Sequence, residues 1–132
     1  MKIKNERTLD KFRTPRSCEN CFKPCKPDPH HLWQKGLGGG GRIDLAINLI
    51  ALCRVPCHMD LHAGLIERDT LLGIVARREG TSKSAIESVI DMIRRLPKDA
   101  SQARIRDEIG TLDDEDAMIL AVDELRKAGV LR

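Results

Sequence analysis

Two close cysteine pairs, Cys18-x-x-Cys21 and Cys53-x-x-x-Cys57, limit what this chain can fold into more than any other feature. Each pair offers two sulfurs to the corners that one knuckle can reach, and Zn²⁺ accepts four thiolates tetrahedrally. A structural zinc on Cys18, Cys21, Cys53 and Cys57 would pin the first knuckle to a distant segment. A fifth cysteine, Cys25, lies close enough to replace one of the four. The need for a brace is plain from the rest of the chain. Its 132 residues include only three aromatics, Phe12, Phe22 and Trp33. A core of roughly 50 residues with so few large side chains buries little, and a metal is a natural stabiliser. No apolar run of membrane-spanning length is present. The opening, Met1-Lys2-Ile3-Lys4-Asn5-Glu6, lacks the apolar stretch of a secretory signal. The expected location is cytoplasmic, where clustered cysteines serve as metal ligands more often than as disulfides.

All four histidines sit between or just after these pairs: His30, His31, His58 and His62. Adjacent histidines in a strand point to opposite sides, so one can hold a metal while the other works beside it. His58 and His62, four apart, share one face of a helix. Asn48 falls between the two histidine pairs and can orient a ring by hydrogen bonding.

Residues 1–17 form a basic N-terminal arm or a short helix. Residues 18–29, with Pro24, Pro27 and Pro29, are too irregular for a helix. A short strand is expected at His30–Trp33, followed by a loop over Gly36–Gly41, which holds five glycines. This loop lacks the Lys-Ser/Thr ending of a phosphate-binding P-loop. A second strand follows at Leu49–Cys53, and a helix begins near Pro56, a residue tolerated in a first turn. From Leu65 the pattern becomes helical. Leu71, Leu72, Ile74 and Val75 form one stripe, ended by Gly80. Ala85, Ile86, Val89, Ile90 and Ile93 form another, closed by Pro97. A short helix over 100–110 and a last one over Ala117–Ala128 complete the chain. The two helices around Thr81-Ser82 have the spacing of a helix-turn-helix, although plain packing is the simpler reading.

Five stretches together resemble the HNH nuclease family: Cys18-Glu-Asn-Cys21, His30-His31-Leu32, Gly36–Gly41, Asn48–Cys53 and Cys57-His58-Met59-Asp60-Leu61-His62. They run from about Arg16 to Gly64. The second cysteine pair departs from the usual CxxC, because Arg54-Val55-Pro56 makes it one residue longer. The resemblance implies an α+β fold, with a zinc-braced ββα-metal core over 18–66 and a helical region over 67–132. It implies hydrolysis of DNA phosphodiesters to 5′-phosphate and 3′-hydroxyl ends. His31 would be the general base and His30 a ligand of a catalytic divalent metal. Asn48 would hydrogen-bond across the strands and hold the His31 ring in position. His58 and His62, one helical turn apart, can supply the remaining protein ligands. The chemistry is consistent, since imidazole titrates near neutrality and a cation offsets charge on the leaving oxygen. Three histidines suit Zn²⁺, Ni²⁺, Co²⁺ or Mn²⁺, whereas Mg²⁺ prefers oxygen.

The charge is uneven. Residues 1–64 hold 11 Lys/Arg and 6 Asp/Glu, and residues 65–132 hold 12 and 14. The basic half carries the metal motif, which suits a polyanion such as double-stranded DNA. The rival is a non-catalytic zinc module that binds nucleic acid or protein. Such a module needs the cysteines and none of the histidines.

Overall fold

The structure, a computed structural model, describes residues 1–33 and 42–132, so the expected glycine loop lies outside the described residues. The chain is α+β. Four short strands are β1 (Arg16–Ser17), β2 (Pro24–Cys25), β3 (Asp28–His31) and β4 (Leu49–Leu52). Six helices are α1 (Glu6–Arg13), α2 (Met59–His62), α3 (Arg68–Glu79), α4 (Lys83–Arg95), α5 (Gln102–Gly110) and α6 (Glu115–Lys127). Strands β1 and β2 pair antiparallel, as do β3 and β4.

The β3–β4 ribbon is the centre of the molecule. Every residue of β4 is buried. Its unbroken apolar run, Leu49-Ile50-Ala51-Leu52, explains why: successive side chains point to opposite faces, and both faces are covered. Leu49 and Ala51 meet Leu9 and Phe12 of α1. Ile50 and Leu52 join the larger cluster with Leu72, Val75, Ile86 and Ile90 from α3 and α4. Residues 1–17 are thus built around α1, whose Asn5 cap accepts from the Thr8 amide at 3.1 Å.

The expected strand at His30–Trp33 lies two residues earlier, at Asp28–His31. The reason is Asn48. Its side chain takes the place of a ladder partner, accepting from the Trp33 amide at 2.9 Å and donating to the Trp33 carbonyl. The expected helix near Pro56 is also shorter. Arg54–His58 forms a wide turn closed by the His58 amide on the Cys53 carbonyl, and regular helix starts only at Met59.

The later helices follow their end signals. Gly80, at φ 67°, ends α3 in the left-handed region that glycine adopts freely. Ser82 caps α4 by accepting from the Ala85 amide at 3.1 Å. Helix α4 buries Ala85, Ile86, Val89, Ile90, Met92 and Ile93 and packs on α6. Its exposed side mixes Lys83 and Arg94 with Glu87 and Asp91. Among the described residues no helix is long and apolar enough to cross a membrane.

Glu124 of α6 is 5 % exposed, with the Lys127 ammonium 4.0 Å away. Burial pushes its carboxyl up to about 7 from 4.5, and Glu79 and Asp123 add to the rise. The folded state therefore holds this proton more tightly than the unfolded chain. The resulting stabilisation is complete below about pH 4.5 and disappears as pH rises through about 7. At about 1.4 kcal/mol for each pH unit in that window, the loss approaches about 3 kcal/mol. Glu124→Gln removes the titration. Urea unfolding of both proteins at about pH 5 and about pH 8 should show the variant gaining relative stability at the higher pH. Equal pH profiles for the two would refute this assignment.

Candidate functional site

The four cysteines of the two pairs converge. The sulfurs of Cys18, Cys21, Cys53 and Cys57 lie within 4.8 Å of one another, and those of Cys21 and Cys53 are 3.6 Å apart. A tetrahedral zinc with bonds of about 2.3 Å would place its sulfurs about 3.8 Å apart, so the quartet fits zinc. Cys25 is not among the four. The added residue in the second pair is absorbed by the wide Arg54–His58 turn, which brings Cys57 back to the cluster.

Electrostatics around the sulfurs favour a cation. Burial raises the Cys18 thiol, but amides from Cys21, Cys53 and Asn20 outweigh it and bring it down to about 6. Cys57 is pushed up to about 12, by burial first and then by the neighbouring sulfurs. Glu19, inside the first knuckle, ties the cluster to the ribbon and to α3. Its amide donates to the Ala51 carbonyl, its carboxylate accepts from the Ala51 amide, and Arg78 grips that carboxylate at 2.8 Å.

Beside the knuckle, β3, β4 and α2 follow one another in the chain and gather three imidazoles. The Nε2 atoms of His58 and His62 are 3.0 Å apart. The His30 ring stands edge-on to both, with centroids at 5.7 Å and 6.4 Å. His30 pairs with Ile50 in the ribbon, so it extends from the same face as Asp28. Asp28 accepts from His58 Nδ1 at 3.3 Å and from Arg54 at 3.2 Å. Arg54 first, and then His58, hold its carboxyl below the usual range despite partial burial. An ionised carboxylate only accepts, so Nδ1 of His58 donates to it. Burial, and then the charges of His58, His62 and His31, bring His30 down to about 4. It is neutral at pH 7. Two nitrogens bound to one cation at about 2.0–2.1 Å sit about 3.3 Å apart. The Nε2 atoms of His58 and His62 lie near that spacing, but among the described residues only the sulfur quartet brings three or more such ligand atoms together.

His31 is set apart from this trio. It pairs with Leu49, on the opposite face of the ribbon from His30. Its Nε2 meets Asp44 Oδ1 at 2.8 Å. Asp44 is fully buried, and its other oxygen accepts from the Asn5 amide and Arg42, both at 2.8 Å. Burial alone would raise its carboxyl, but these three donors hold it down. Nε2 of His31 therefore donates, and Nδ1 is the basic lone pair. Asn48, fully buried, bonds the backbone of Trp33 and Ile43, not the His31 ring. It fixes the strand ends that carry His31, while Asp44 orients the ring.

Asp28 and Asp44 are the carboxylates bonded to candidate histidines that sequence reasoning missed. Asp28 had a signal, because it lies two residues from His30 and shares its face in a strand. Asp44 had none, since its segment is irregular. No family model, no curated protein and no solved structure matches the chain. The resemblance to HNH nucleases therefore stands on the residues themselves.

Proposed function

We propose that this protein is a metal-dependent HNH endonuclease that hydrolyses DNA phosphodiesters on a zinc-braced ββα-metal core. The observation that carries the reading is the meeting of His58 and His62 nitrogens at 3.0 Å beside His30, with His31 separately oriented by a buried carboxylate. A zinc module without catalysis requires neither arrangement, although the sulfur quartet would serve it equally well.

A divalent cation on His30, His58 and His62 would place positive charge beside the leaving 3′ oxygen, where negative charge develops. The remaining work falls to the chain's own groups. Nδ1 of His31 takes a proton from the attacking water as the water oxygen bonds to phosphorus, the P–O3′ bond breaks, and the leaving oxygen takes a proton from solvent. Asp44 stabilises the imidazolium that forms. Asp28 keeps His58 in the tautomer that faces the trio.

The test uses supercoiled plasmid and zinc-loaded protein, with Mn²⁺, Ni²⁺, Co²⁺ or Mg²⁺ added. Nicked or linear product is expected with at least one of them, and none with any overturns the reading. His30→Ala and His58→Ala should each need more metal and regain part of their cleavage at high Mn²⁺, because each loses one ligand of three. Failure of metal to rescue either variant would count against their role as ligands.

A further inference from the structure

A cleft of about 940 Å³ lies between α1 and the C-terminal ends of α3 and α6, with Leu45 and Ala46 among its walls. Its acids are already matched. Glu6 is bound by Arg13 and Arg42, Glu79 by Arg78, and Glu124 faces Lys127. Two of its cations, Arg16 and Arg78, are bound to Glu19. Lys4, Arg7 and Lys11 are different. They line the cleft, are exposed, and have no acidic partner among the described residues. Their spacing of three and four puts them along one side of α1 and its entry. Arg7 to Lys11 covers about 6 Å of helix axis, close to two 3.4 Å steps of a DNA strand.

The cleft also adjoins the proposed base. Asn5, one of its lining residues, donates its amide to Asp44, the same carboxylate that holds His31. Asn5 at the cleft wall and His31 thus share one carboxylate.

We propose that Lys4, Arg7 and Lys11 form a phosphate-binding track that grips the DNA backbone beside the scissile bond. This extends the nuclease reading above and can be tested apart from it. The track supplies affinity without base readout, because lysine and arginine on phosphates carry no sequence information.

The experiment measures binding of a short DNA duplex by fluorescence anisotropy, with zinc-loaded full chain and no added divalent metal, across a range of salt. Each phosphate contact contributes about 0.9 to the slope of log affinity against log salt. The triple variant Lys4→Ala, Arg7→Ala, Lys11→Ala should lower that slope by nearly three. Between about 50 and about 200 mM salt, wild type should then lose roughly 40-fold more affinity than the variant. All three side chains are exposed, and circular dichroism checks that the fold is kept. The control is Arg94→Ala with Lys98→Ala, exposed residues outside the cleft, which should leave the slope unchanged. An unchanged slope in the triple variant overturns the track, as does failure of wild type to bind at low salt. A lowered slope only in the control overturns it too and moves the DNA to α4. A lowered slope in the triple variant, in a protein that cuts no plasmid with any metal, supports the track and removes the nuclease reading instead.

Discussion

Replacing His31 with Ala should reduce plasmid cleavage on the order of 10²–10⁴-fold, the usual scale for a lost general base. The argument rests on position. His31 ends β3 with its Nε2 on a buried carboxylate, which leaves Nδ1 as the basic atom. It lies on the opposite face of the ribbon from His30. The variant should therefore keep its metal content and its affinity for DNA. Excess Mn²⁺ should not restore it, because a proton acceptor has been removed and not a ligand. This distinguishes it from His30→Ala, the neighbouring position. Cleavage rate against metal concentration for the two variants separates the roles. Rescue of His31→Ala by metal, with none for His30→Ala, would show that the neighbours have been assigned in reverse.

The second large effect is on the fold itself. Cys57→Ser should lower zinc to below one ion per chain and abolish cooperative folding. Structural zinc contributes roughly 10–16 kcal/mol in small zinc-binding peptides at neutral pH, and a whole domain is stable by only about 5–15 kcal/mol. The damage should spread because Glu19 links the knuckle to Ala51 in β4 and to Arg78 in α3. Cys25→Ser should leave both zinc and structure in place, since Cys25 lies outside the quartet. Metal analysis and far-ultraviolet circular dichroism on the same samples decide the matter. A zinc-loaded, folded Cys57→Ser protein beside an unfolded Cys25→Ser protein would invalidate the ligand set.

The legible parts of the chain were those whose signal is local. Gly80 and Pro97 mark helix ends by their own backbone limits, and Ser82 starts α4 by its own side chain. The cysteine spacing pointed to the quartet because two sulfurs in a knuckle are near each other in any fold. What sequence did not reveal depends on distant pairing. The two-residue offset of β3 follows from Asn48 bonding Trp33 across the ribbon, a contact no periodicity encodes. Asn48 bonds across the ribbon as expected, but its partners are the backbone groups of Trp33 and Ile43. Asp44 went unnoticed because a buried carboxylate in an irregular segment looks like any surface acid until Asn5, His31 and Arg42 surround it. The short α2 reflects the wide turn that the longer cysteine pair requires.

The shared core has a consequence for how such a chain can be rearranged. Ile50 and Leu52 lean on Leu72, Val75, Ile86 and Ile90, so the histidine-bearing ribbon has no inner surface of its own. Excised after residue 66, it would display Ile47, Ile50 and Leu52 to water as a sticky sheet face. The ribbon is not a portable cassette. A gene fusion that borrows this ribbon must take α3, α4 and α6 with it, and shuffling of the ribbon alone would yield aggregates before it yielded a folded site.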